Sequence, residues 1–178
     1  MGKSGVYILL VELARERRIR VGRLGVIPFK KGYYAYVGSG KMGLKKRIER
    51  HLRNDKRVHW HIDYLLAFGK VVEAIAVETN ESLECKLAQE VSSQFEPIRG
   101  FGSSDCKCPS HLFYCPSGDK VGQVVRRTIN TGSCASYTRS TPDAPITSTR
   151  NSVAHGRATL HNVVRGLAKV LPSDPRVR

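Results

Sequence analysis

Residues 32–52 read GYYAYVGSGKMGLKKRIERHL. Tyr33, Tyr34, Tyr36 and Val37 make an aromatic, β-branched run of the kind that forms strands. Gly38-Ser39-Gly40 closes the run in a turn. The segment from Met42 to Asp55 then takes a helical period, with Leu44, Ile48 and Leu52 as its apolar stripe. A strand, a glycine turn and a basic helix in succession offer backbone N–H groups and a helix N-terminus to a phosphate. A lone Gly-x-Gly is weak support for that, and a basic helix by itself is usually a solvated face.

The flanking segments extend the alternation. GVYILLVEL (residues 5–13) is a nearly continuous apolar run, as in a strand covered on both faces. RRIRVGRL (17–24) reads as an exposed strand carrying arginines, HWHIDYLLAF (59–68) as a short helix, and VVEAIAVE (71–78) as a strand. ESLECKLAQEVSSQF (81–95) reads as a helix with Leu83, Leu87, Val91 and Phe95 inward. There is no internal repeat. The expected fold class is α/β of the α+β kind: a small, mostly antiparallel central sheet flanked by helices.

The 178 residues carry a formal charge of +15, a footprint that favours a polyanionic partner over a merely soluble basic protein. Composition shifts near Pro116. Residues 117–178 hold fourteen Ser and Thr and one aromatic, Tyr137, with ten Lys/Arg against three Asp/Glu. The expected organisation is a domain over 1–115 and a low-complexity, largely irregular basic tail over 116–178. That tail is either a nucleic-acid-binding arm or sequence without a selected fold. About 115 residues can bury close to two-thirds of their unfolded surface, which suffices for an independent domain. No apolar run is long enough to cross a bilayer, and the start reads neither as a signal peptide nor as a myristoylation site. Five cysteines without a secretory signal imply reduced thiols and a cytoplasmic setting.

Two helices carry the candidate chemistry. At 100° per residue Glu84 falls within the apolar arc of its helix, where a carboxylate is costly unless something positive meets it. A divalent metal or an arginine would serve, or the helix edge is less buried than the wheel suggests. On the basic helix Arg47 and His51 lie one turn apart beside the apolar stripe. Tyr7 and Tyr36, taken alone, read as core-packing strand aromatics.

Gly5-Val6-Tyr7 in the first strand and Tyr36-Val37-Gly38 in a later one resemble the pair of tripeptides that names the GIY-YIG nuclease superfamily. Arg47-x-x-x-His51 is similar to its Arg-x-x-x-His/Tyr element, and Glu84, followed by Leu87, to its single metal-binding glutamate. Four elements in the right order are more specific than any one. HWHIDYLL and GFGSSDCKCPSHLFY bring the likeness closer to a mainly archaeal, Uri-type endonuclease branch. The resemblance spans residues 4–115. Two departures stand out. Twenty-eight residues separate Tyr7 from Tyr36, more than the short hairpin common in the superfamily, and predict an extra strand. Many relatives place an asparagine after the glutamate helix, where this chain has GFGSSDC, with Asp105 or the serines as substitutes.

The resemblance implies a metal-dependent DNA endonuclease, structure-selective, acting in repair or recombination. Mg²⁺ or Mn²⁺ on Glu84 would polarise the phosphate, an ion that needs few protein ligands. Arg47 would hold non-bridging oxygens. Tyr7 would be the general base, which requires its phenol pKa to fall from near 10 under nearby cations. Tyr36 would orient phosphate or water, and His51 would share base duty or hydrogen-bond Tyr7. Lys41, Lys45, Lys46, Arg50, Arg53, Lys56 and Arg57 are the expected backbone contacts to branched or damaged DNA, with RNA also open. Cys106, Cys108, His111 and Cys115 form a zinc-ligand candidate set, although buried free cysteines are the commoner explanation. His59 and Asp63, if helical, are one turn apart and suit a hydrogen-bonded pair; with His61 they also suit a substrate groove. Two other classes compete: a nucleic-acid-binding module that does not cut, and a zinc-stabilised adaptor that recruits a repair-protein partner.

Overall fold

The computed structural model of the protein describes residues 3–41, 43–53, 55–118, 120, 123 and 159–160. Nearly all of the segment expected as an irregular tail therefore lies outside the described residues. Among them, no helix is long and apolar enough to cross a membrane.

The chain is α+β. Its strands are β1 (Gly5–Leu13), β2 (Arg17–Arg20), β3 (Val26–Phe29), β4 (Gly32–Gly40), β5 (Lys70–Glu78), β6 (Glu96–Pro97) and β7 (Leu112–Cys115). The helices are α1 (Leu44–Leu52), α2 (His61–Leu66) and α3 (Glu84–Ser92). Five strands form an antiparallel sheet in the order β6-β7-β4-β1-β5, and the two-residue β8 (Thr159–Leu160) extends it at β5. β1 lies between β4 and β5, which is why its sequence stays apolar at every position from Val6 to Val11. The strand period of two divides those residues between two cores. Tyr7, Leu9, Val11 and Leu13 pack with Leu44 and Ile48 of α1 and with Ile62 and Leu65 of α2. Val6, Ile8 and Leu10 pack on the other face with Leu87, Ala88 and Val91 of α3.

The insert between β1 and β4 differs from expectation. It holds not one exposed strand but an antiparallel pair, β2 and β3, in a sheet of its own. Ile19 and Phe29 are turned into the α1–α2 core, while Arg18 and Arg20 face solvent. Strands β3, β6 and β7 had no periodic signal, being two to four residues long; β3 is held by a local hairpin with β2, and β7 by pairing with β4 across a long sequence distance. Helix α2 starts at His61, later than expected, because the Asp63 carboxylate accepts the backbone N–H groups of His59 and Trp60 and fixes the turn there.

Two glycines of the opening stretch are dictated by packing. A Cβ on Gly40 would stand 2.7 Å from the Leu44 Cα, so the close seating of α1 on the end of β4 requires its absence. A Cβ on Gly38 would stand 2.5 Å from both Cζ and Oη of Tyr7. The bare backbone at Gly38 is the floor on which the Tyr7 ring lies.

Candidate active site

Antiparallel pairing sets Tyr7 opposite Gly38 and Leu9 opposite Tyr36. The two tyrosines are therefore diagonal neighbours on the same face of the sheet, with ring centroids 6.4 Å apart. Helix α1 crosses that face and brings down His51, whose ring centroid is 5.7 Å from Tyr7 and 6.2 Å from Tyr36. The Tyr7 hydroxyl and His51 Nε2 are hydrogen-bonded at 2.8 Å. One turn earlier Arg47 stacks its guanidinium over the Trp60 ring, 4.1 Å from the centroid. Arg47 Nε is buried and, among the described residues, has no hydrogen-bond partner.

Glu84 opens α3 and reaches the site from the other face of the sheet. Its Oε2 accepts the Ser39 hydroxyl at 2.5 Å, and its Oε1 pairs with His111 Nδ1 at 3.2 Å. Strand β7 pairs with β4 only as far as Tyr36, so the ladder ends where Glu84 approaches. The acid keeps 27% of its side chain exposed. Its charge raises the phenol pKa of both Tyr36 and Tyr7, so these three groups share one electrostatic environment with Arg47. A cleft of about 190 Å³ opens beside Glu84 and Ser39, with Ser4, Lys41 and Asn80 on its wall. The phenols do not line it.

Burial decides most of the protonation states. It drives the Tyr7 phenol pKa well up, Tyr36 adds to the rise, and Arg47 offsets only part of it. Tyr36 is raised for the same leading reason. A standing phenolate at Tyr7, which general-base action alone would need, is thus disfavoured here. Burial also pulls His51 down to about 4, against the opposing charge of Asp63, so its imidazole is neutral at ordinary pH. For Glu84, burial acts upward but the hydrogen bonds from His111 and Ser39 outweigh it, and the carboxyl is held below its usual range.

The Arg–carboxylate pair of this region is formed not by Glu84 but by Asp63, which sequence reasoning placed beside His59. Asp63 is buried and receives both guanidinium nitrogens of Arg50, at 3.1 and 2.9 Å. Those bonds and the two backbone N–H groups overcome burial and hold its carboxyl at about 2. Asp63 Oδ1 lies 3.8 Å from His51 Nδ1, which has no hydrogen-bond partner of its own among the described residues. The only sequence signal for this role was an acid three residues after Trp60, at the N3 position of a short helix. The His59 side chain is not bonded to Asp63; it stacks edge-on against Trp60. His61 Nδ1 accepts the Gly102 N–H.

Three of the expected backbone-contact cations have partners within the protein, Lys45 through a solvent-exposed pair with Glu49 at 3.9 Å. Arg50 is held by Asp63 and the Arg57 carbonyl, and the Lys56 ammonium donates to the His51 carbonyl at 2.6 Å. Lys41, Lys45, Lys46, Arg53 and Arg57 are exposed. Asp105, offered as a substitute for the missing asparagine, is exposed too, and it is His111 that meets Glu84. The zinc-ligand candidate set also changes. Cys115 lies in the apolar core against α3. Cys85, the second residue of α3, joins Cys106, Cys108 and His111 instead.

A family model described as a domain of unknown function, DUF123, matches residues 6–134, and that family is GIY-YIG-like. No curated protein and no solved structure matches the chain.

Proposed function

The chain belongs to the DUF123 family, and from that membership and the site's geometry we propose that it is a metal-dependent DNA endonuclease of GIY-YIG type. The reading extends to the Uri-type branch, to branched or damaged DNA as substrate, and to repair or recombination as the setting. One observation carries it: Tyr7, Tyr36, Arg47 and His51 converge on one face while Glu84 lies within electrostatic reach of both phenols.

The residues fit a hard divalent ion. Each Glu84 oxygen has one protein partner and retains acceptor capacity, and the side chain is partly open to solvent. Glu84 would hold Mg²⁺ or Mn²⁺ together with water. When bound, the ion supplies charge neutralisation at the phosphate and at the leaving oxygen.

The chain's own groups do the rest. Arg47, pinned on Trp60 with its Nε unpaired among the described residues, presents a guanidinium to the non-bridging phosphate oxygens. Tyr7 acts as a relay and not as a standing phenolate. As the attacking water gives a proton to Tyr7 Oη, the phenol's own proton passes to His51 Nε2, 2.8 Å away. The neutral imidazole accepts it, and the charge that forms faces the Asp63 carboxylate. Water oxygen bonds to phosphorus, the bridging P–O bond breaks, and the leaving oxygen takes its proton from solvent. Tyr36, tilted across Tyr7, orients the water.

A second reading is kept alive by Glu84 itself. Both of its oxygens already have protein partners, as they would in a nucleic-acid-binding module, or a zinc-stabilised adaptor, that does not cut. Labelled duplex, flap, bubble and single-stranded DNA, with an RNA duplex alongside, should be incubated with the protein with and without Mg²⁺ or Mn²⁺. The endonuclease cuts only with metal, and Glu84→Ala or Tyr7→Phe stops cutting while binding survives. Gel shifts of uncut substrate under every metal condition establish the module instead.

A further inference from the structure

Three thiols and an imidazole meet at one point beside the site. Cys85 comes from the first turn of α3, Cys106 and Cys108 from the loop between β6 and β7, and His111 from the residue before β7. Their Sγ and ring-nitrogen atoms all lie within 4.8 Å of one another, and all four cysteines among the described residues are free thiols. We propose that Cys85, Cys106, Cys108 and His111 bind one Zn²⁺ and that this ion clamps the loop carrying them against the candidate active site.

The distances suit a tetrahedral ion. Zn–S bonds of about 2.3 Å and Zn–N bonds of about 2.0–2.1 Å at tetrahedral angles put sulfur and nitrogen roughly 3.5 Å apart, and two sulfurs roughly 3.8 Å apart. Cys106 Sγ and His111 Nε2 are 3.4 Å apart. The whole group needs to contract little to enclose an ion. Three soft thiolates with one imidazole form a closed, structural donor set and leave no place for a substrate water. Binding displaces the thiol protons to solvent.

The imidazole is also correctly poised. Its Nε2 faces the thiols while its Nδ1 faces the Glu84 carboxylate at 3.2 Å. A proton held on Nδ1 and donated to Glu84 leaves the Nε2 lone pair for the metal, the carboxylate–histidine–zinc arrangement that orients both ring and acid. The same loop touches Tyr36. Phe101 stacks edge-on against Tyr36, and a Cβ on Gly102 would stand 3.2 Å from both the Tyr36 ring and the His111 Cβ. Backbone hydrogen bonds tie the base of the loop, from Gly100 to Pro109 and from His111 to Phe101, but among the described residues its cysteine-bearing tip has only the Cys106 N–H to Ser103 carbonyl contact at 3.5 Å. A closed metal site supplies the anchoring that regular secondary structure does not.

The ion therefore positions Glu84 and Tyr36 without touching substrate. That positioning role rests on the endonuclease reading; the zinc site itself does not. The full-length protein should be purified under reducing conditions without chelator, and its metal and free thiols counted. One zinc per chain is expected. Replacement by Co²⁺ should give the visible bands of a tetrahedral, thiolate-bound ion, a measurement that needs no variant. Cys85→Ser, Cys106→Ser and Cys108→Ser should each lose zinc to a chelator that spares the parent, whereas Cys115→Ser should keep it. Glu84→Gln should weaken zinc retention about 10–100-fold, as removal of a partner to a metal-bound histidine does. Metal-free protein with Cys106 and Cys108 joined as a disulfide, an octahedral cobalt spectrum, or zinc lost from Cys115→Ser and kept by Cys85→Ser would each overturn the assignment. None of these outcomes depends on DNA being cut.

Discussion

Alanine at Gly38 tests how the site is built. The added Cβ would stand 2.5 Å from Cζ and Oη of Tyr7 and 3.0 Å from Cε2. Carbon contacts are comfortable at about 3.5–4.0 Å, so ring and backbone must part by roughly 1 Å. The ring has nowhere easy to go: Tyr7 is 2% exposed and its hydroxyl is tied to His51. Overpacking of this kind costs about 1–3 kcal/mol. If the ring moves enough to break the hydrogen bond, stranding buried His51 Nε2 adds about 1–3 kcal/mol. A total of about 2–6 kcal/mol is a large part of a small domain's stability of about 5–15 kcal/mol. At about 4 °C per kcal/mol the melting temperature should fall by roughly 8–24 °C. Urea unfolding followed by the fluorescence of Trp60, the single tryptophan, gives the free energy directly. The decisive comparison is a cycle with Tyr7→Leu, which removes the ring that the Cβ would strike. In that background Gly38→Ala should cost under about 0.5 kcal/mol. Equal cost in both backgrounds would show that Gly38 is needed for its own backbone and not as the floor for Tyr7.

Other consequences follow from charge. His51, about 4 in the fold against about 6.5 unfolded, takes up its proton more readily in the unfolded chain, so stability falls as pH drops from about 6.5 to about 4. That loss is on the order of 3 kcal/mol and should be absent from His51→Gln, so that it appears as a pH-dependent difference between parent and variant. An NMR titration of the His51 ring with a midpoint near 6.5 would refute its burial as the cause. Asp63→Asn leaves the Arg50 guanidinium without its ionic partner and should cost about 3 kcal/mol in urea unfolding, with Arg50→Ala/Asp63→Asn costing less than the sum of the two single changes. Additive costs would remove the pair from the account. On the proposed function, alanine at exposed Lys45, Lys46 and Arg53 should weaken binding to all duplexes alike and lower the salt slope by up to about 3. An unchanged slope would place the DNA on another face.

What the sequence made legible was periodic and local. The apolar run of β1, the tyrosine strand β4 and the stripe of α1 each announce themselves within ten residues, because burial repeats every two or every 3.6 positions. Tyr7 and Tyr36 needed the resemblance as well, since their spacing does not say that β1 and β4 pair with Tyr7 on Gly38. Asp63 escaped because its partner Arg50 sits thirteen residues earlier on another helix, and no pattern links them. Strand β7 escaped because LFYC is four residues long and draws its order from residues 33–36 of β4. That omission had a chemical consequence. With β7 unrecognised, Cys115 looked like the natural companion of His111, four residues away. Once the segment is a strand, four residues at about 3.3 Å each put the two about 13 Å apart, too far to share one ion. The pleat sends His111, Phe113 and Cys115 to the same face, and there Phe113 and Cys115 pack against α3 as core. The companion of His111 had to come from another element, and α3, packed on that face, offers Cys85 next to Glu84. The ligand set and the strand assignment are thus one inference. A four-residue strand decides which thiol can reach the proposed zinc, and, through His111, which carboxylate that ion would hold in place.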